Sequence, residues 1–173
     1  VKPTNGTNSK IKQKKTKITL TKKGVGTMST KEAQEQIVAN MRKWQKIENA
    51  SVSSTGRVIE QTENPIVRLV MEIIQRDSQM HYMVQELIAD SLTTKAIALT
   101  PEEVGGVWGL IEKHIELEKQ TVELAKSSLK AIEGKKGMVV QGYLLEYLLK
   151  DEEKHDIILE KLNEVKKGMY PYG

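Results

Sequence analysis

Cysteine is absent from the 173-residue chain. That excludes disulfides, a thiolate nucleophile, cysteine-ligated zinc and a rubredoxin-type iron centre, so any metal must be held by histidine and carboxylates. It also fits a reducing compartment, and a cytoplasmic location is the expectation. Phenylalanine is absent too, and aromatics make up only 4% of residues. The interior must then be aliphatic with methionine as filler, which favours helices over a sandwich of sheets. No apolar run approaches the roughly eighteen residues of a membrane span, and no hydrophobic segment of the signal-peptide kind opens the sequence. Glycine-rich phosphate loops and Ser/His/Asp sets are missing, which argues against nucleotide or acyl chemistry.

Acidic residues are missing from one place in particular. Residues 1–27 hold eight lysines (Lys2, Lys10, Lys12, Lys14, Lys15, Lys17, Lys22 and Lys23) and no Asp or Glu. The whole chain carries +4, which leaves about −4 for the remainder. Stretches such as "NGTNSK" and "KQKKTK" have little to bury, so a disordered basic arm is expected over 1–27. Lys10, Lys12, Lys14, Lys15, Lys17, Lys22 and Lys23 suit contact with nucleic acid or another acidic surface through counterion release. Without arginine or an aromatic residue, the arm has no means of reading or stacking on bases. Met28 is a candidate true start, and the folded domain is expected over 28–173.

Four helical segments of similar length follow. Ser29 or Thr30 caps the first, with a glutamate in its first turn, although "ASVSSTG" (50–56) is weak in helix propensity and reads equally as loop. Asn64 and Pro65 start the second, Thr100 and Pro101 the third. Gly134 and Gly137 frame a turn before the fourth, which Gly168 and Pro171 should stop near 167. Helices of about 30 residues are roughly 45 Å long. Four matched rods predict an all-α protein, a four-helix bundle.

A three–four stripe drawn along each helix is interrupted by acids at mid-length. In the first helix Ile37, Met41 and Trp44 lead to Glu48. In the second, Val67, Val70, Ile74, Asp77, His81, Val84 and Ile88 place an acid and a histidine in the seam. Val104, Trp108, Ile111, Ile115, Glu118, Val122 and Ala125 form the third stripe, with His114 one turn before Glu118. In the fourth, Leu144, Leu148, Asp151, His155, Ile158 and the parallel series through Glu152 bring Asp151 or Glu152 inward with His155. The segment 74–88 aligns without gaps on 148–162, matching both Asp and His, which suggests a duplication. "WQKIE" (44–48) also resembles "WGLIE" (108–112), a register that pairs Glu48 with Glu112, whereas the core pattern selects Glu118. Buried carboxylates cost several kcal/mol each unless compensated. Eight candidate ligands, Glu48, Asp77, His81, His114, Glu118, Asp151, Glu152 and His155, therefore point to bound cations, and an oxygen and imidazole set suits iron, manganese or zinc.

With "EEKH" supplying Glu-x-x-His at Glu152 and His155, and Glu48 and Glu118 as single glutamates, residues 28–167 resemble the ferritin-like di-iron carboxylate superfamily, the rubrerythrins among them. Ser78 stands where that pattern wants a glutamate, leaving Asp77 to substitute. The link "KAIALT" is also too short for the ferritin crossover, so an up-down-up-down order is the alternative. The resemblance implies two divalent metal ions, iron first, and an oxidoreductase of ferroxidase or peroxidase kind that handles oxygen, peroxide or ferrous iron. It also implies an external electron donor and a homodimer. The alternative from another class is a non-enzymatic helical-bundle protein that binds nucleic acid or a larger assembly through the lysine-rich arm.

Overall fold

The computed structural model describes residues 28–94, 97 and 99–169. The basic arm expected over 1–27 lies outside them. Four helices make up the described chain: α1 (Thr30–Gln61), α2 (Pro65–Thr93), α3 (Pro101–Ile132) and α4 (Val139–Met169). All-α is therefore the fold class, and the pairing of α1 with α2 and α3 with α4 is consistent with a four-helix bundle. The chain divides into two compact units, one containing each helical pair.

Local chemistry sets the helix ends. Ser29 caps α1 in a reciprocal box, its hydroxyl accepting from Glu32 N while its backbone N donates to Glu32 Oε2 at 2.8 Å. Thr100 and Glu103 repeat the device at α3. Asn64 Oδ1 accepts from Ile66 N at 2.9 Å and Val67 N at 3.2 Å ahead of Pro65. Each such cap contributes about 1 kcal/mol. Gly134 (φ 69°) and Gly137 (φ 85°) take the left-handed conformation that turns α3 into α4.

The "ASVSSTG" stretch is helix throughout, although the sequence left it open as loop. Its hydroxyls find backbone acceptors within the helix: Ser53 Oγ donates to Asn49 O at 3.0 Å and Thr55 Oγ1 to Ser51 O at 2.9 Å. That satisfies the groups that would otherwise favour a turn.

Both hairpins are antiparallel. In the first, Arg42 meets Asp90 at 2.9 Å, Gln45 Nε2 reaches Tyr82 O at 3.4 Å, Ser78 Oγ donates to Ser51 Oγ at 2.9 Å, and Arg68 Nη1 donates to Ile59 O at 3.2 Å. Partners thus descend along α2 as they climb α1. In the second, the Lys166 ammonium sits 4.1 Å from the centre of the Trp108 ring, so the end of α4 lies by the start of α3.

The seam of the first hairpin departs from the expected stripes. Trp44 and Ile37 are exposed, while Gln45, Glu48 and Thr55 are the buried residues of α1. On α2 the buried residues are Ser78, Gln85 and Ala89, whereas Val67, Ile74, Val84 and Ile88 are exposed. The helix presents the neighbouring three–four series Gln75, Ser78, Tyr82, Gln85 and Ala89. Polar side chains win that face because they bond across the seam, as Gln75 Nε2 does to Val52 O at 3.1 Å. In the second hairpin the expected stripe of α3 holds, with Val104, Trp108, Glu118, Val122 and Ala125 buried.

Candidate metal centre

Glu118 is the buried acid of α3, 7% exposed, midway along the helix. Its two carboxylate oxygens face different imidazoles. Oε1 lies 2.8 Å from His114 Nε2, one turn back on α3, and Oε2 lies 3.4 Å from His155 Nδ1 on α4. Glu152, one turn before His155, brings Oε2 to 3.5 Å from the same Nδ1. Glu118, Glu152 and His155 thereby place one ligand atom each within 4.8 Å of one another, a group of the kind that holds a metal ion. Ligand atoms bonded at about 2.1 Å to one tetrahedral ion sit about 3.4 Å apart, so the two histidine separations match a shared cation.

Neighbouring side chains direct these groups. Thr121, three residues after Glu118, donates its hydroxyl to Glu152 Oε2 at 3.0 Å. The Glu152 carboxyl is held below the usual glutamate range, first by a hydrogen bond with Glu118 and then by Thr121 and His155, against the opposing effect of burial. On its far side, His155 Nε2 faces Asp151 Oδ2 at 3.9 Å. Asp151 in turn pairs with Lys154 and accepts from Tyr147 OH at 3.4 Å. Its carboxyl is lowered chiefly by the Lys154 hydrogen bond. A hollow of about 210 Å³, lined by His114, Glu118, His155, Ile158 and Leu159, opens beside the group. Free coordination positions would therefore be reachable by a small molecule.

The other expected ligands are placed differently. Glu48 is buried, 6% exposed, accepts from Gln85 Nε2 at 3.2 Å and lies 3.4 Å from His81 Nδ1. Asp77 is exposed, because the buried position beside it belongs to Ser78. Asp151 has a lysine partner, so its charge is neutralised without an ion. Glu112, the candidate of the "WGLIE" register, instead accepts from Trp108 Nε1 at 2.7 Å.

Sequence reasoning passed over Thr121 and Gln85. Thr121 is one turn beyond Glu118, and Gln85 one turn beyond His81 in the polar three–four series of α2; both spacings were open to inspection.

Fold and site together define a class: an all-α protein of paired helical hairpins with a carboxylate and histidine group inside one of them. Comparison with protein-family models, curated proteins and solved structures finds no match for the chain.

Proposed function

We propose that α3 and α4 hold a divalent transition-metal ion through Glu118, Glu152 and His155, and that the protein handles oxygen, peroxide or ferrous iron in the manner of ferritin-like carboxylate proteins. The observation that carries this reading is the convergence of three ligand atoms from two helices on one point, with Glu118 buried. Two carboxylates and one imidazole suit iron, manganese or zinc. A bound iron would supply the exchange of electrons with oxygen or peroxide. The chain's own part is to fix the donors. Thr121 steers Glu152, His114 holds one oxygen of Glu118, and Asp151 stands behind His155 in the outer position that orients metal-bound imidazoles.

Elemental analysis of the full chain, purified without a histidine tag and reloaded with ferrous iron, tests the reading. Bound metal should fall by one ion per chain in Glu152→Gln and His155→Ala, and oxidation of added ferrous iron should fall with it. Wild-type protein that retains no metal, or variants that retain all of it, would overturn the proposal.

A second reading has its own observation: eight lysines and no acid in residues 1–27 favour an arm that holds the protein on an anionic polymer or surface.

A further inference from the structure

The two hairpins are built on the same frame at four positions. One displacement along the chain carries Glu48 onto Glu118 and Ser51 onto Thr121, and another carries Ser78 onto Glu152 and His81 onto His155. The contacts follow. Glu48 lies 3.4 Å from His81 Nδ1, as Glu118 lies 3.4 Å from His155 Nδ1. Ser78 bonds Ser51 at 2.9 Å, as Glu152 bonds Thr121 at 3.0 Å. The first hairpin thus keeps the buried glutamate and the imidazole but has a serine where the second has its other carboxylate.

Gln85 sits on the opposite side of His81, one turn further along α2, and is 3% exposed. Its Nε2 donates to Glu48 Oε1 at 3.2 Å, while its Oε1 is buried with no hydrogen-bond partner among the described residues. An unpartnered buried carbonyl oxygen costs about 1–3 kcal/mol. The oxygen and nitrogen of a glutamine amide exchange places by a half-turn about its last bond. After that turn, Oε1 would stand near 3.2 Å from Glu48 Oε1. Two oxygens so close repel unless a cation lies between them, and the separation is near the roughly 3.4 Å spanned by two ligands of one ion.

From this we infer that the first hairpin contains a second, weaker divalent-cation site made of Glu48, His81 and Gln85, with the glutamine carbonyl in place of a second carboxylate. The site goes beyond the ion proposed for α3 and α4 and does not depend on it. One negative charge in place of two makes it the weaker, and a carbonyl oxygen widens its tolerance towards harder ions such as manganese.

Zinc and manganese, each titrated into the metal-free full chain and counted after equilibrium dialysis, are the probes. In the double variant Glu118→Gln/Glu152→Gln one ion per chain should remain, and adding Gln85→Leu should remove it. Gln85→Glu, which restores a carboxylate, should bind about tenfold more tightly and gain more thermal stability from added metal than wild type does. Loss of all metal in the double variant, retention of the ion after Gln85→Leu, or a Gln85→Glu protein whose affinity and metal response stay at wild-type levels would each overturn the inference. Should Gln85→Leu fail to fold, Gln85→Glu decides alone. If the double variant keeps every ion and Gln85→Leu still removes one, the α3 and α4 reading fails and this one stands.

Discussion

At the residue scale, Asp151 stands beside the proposed ligand Glu152 on α4. It was a candidate ligand on spacing alone, since both it and Glu152 fall on three–four series that share His155. The structure gives them different neighbours: Glu152 turns to Glu118 and Thr121, Asp151 to Lys154 and Tyr147. Asp151→Asn should therefore weaken metal binding by about 10- to 100-fold, as loss of an outer partner of a metal-bound histidine does, without changing the number of ions per chain. Competition against a chelator of known affinity measures this. A full loss of one ion would instead make Asp151 a ligand. The identity of the buried acids on α1 and α3 was readable because a glutamate inside an apolar repeat stands out, as Glu48 and Glu118 do. The polar neighbours were not, because serine, threonine and glutamine are ordinary on either face of a helix, and only the partner helix decides whether Ser78 or Asp77 is buried.

Helix starts were readable at the scale of elements because capping chemistry is local. Ser29, Asn64 and Thr100 act through backbone groups two or three residues away, so sequence alone contains both partners. Rotation about the helix axis was read correctly for α3, in part for α1, where Glu48 is buried but Ile37 and Trp44 are exposed, and missed by one residue for α2. The pattern in α3 is set by large apolar side chains, whereas the seam between α1 and α2 is held by hydrogen bonds, which hydropathy does not register. The α1 cap also carries a pH dependence. Glu32 is lowered from the ordinary glutamate value first by the Ser29 backbone N–H and then by the Ser29 hydroxyl. A carboxyl lowered in the folded state adds stability that is complete above its unfolded value, about 4.3, and is lost as pH falls through the lower folded value. Glu32→Gln should accordingly flatten the fall in melting temperature below about pH 4.3 while leaving the neutral-pH slope unchanged. Parallel acid limbs for the two proteins would show that the capping carboxylate does not contribute.

For the whole molecule, charge is divided as unevenly as chemistry. Eight lysines precede Met28, and the residues from there onward sum to about −4. Removing residues 1–27 should abolish retention on a heparin or DNA column at low salt and leave metal content per chain unchanged, because every proposed metal ligand lies within α1 to α4. Equal retention of the truncated and full-length proteins would remove the tethering reading. Among the described residues no helix is long and apolar enough to cross a membrane.

Ser78, where the second hairpin has Glu152, leaves the two halves of the chain alike in frame but unlike in charge. Unequal donors fill in sequence. Scarce metal would collect at Glu118 and Glu152 first, and the Gln85 side would respond only when supply rises. Half-loaded protein would then be one defined species, and the occupancy of the weaker half would report how much free metal its surroundings contain.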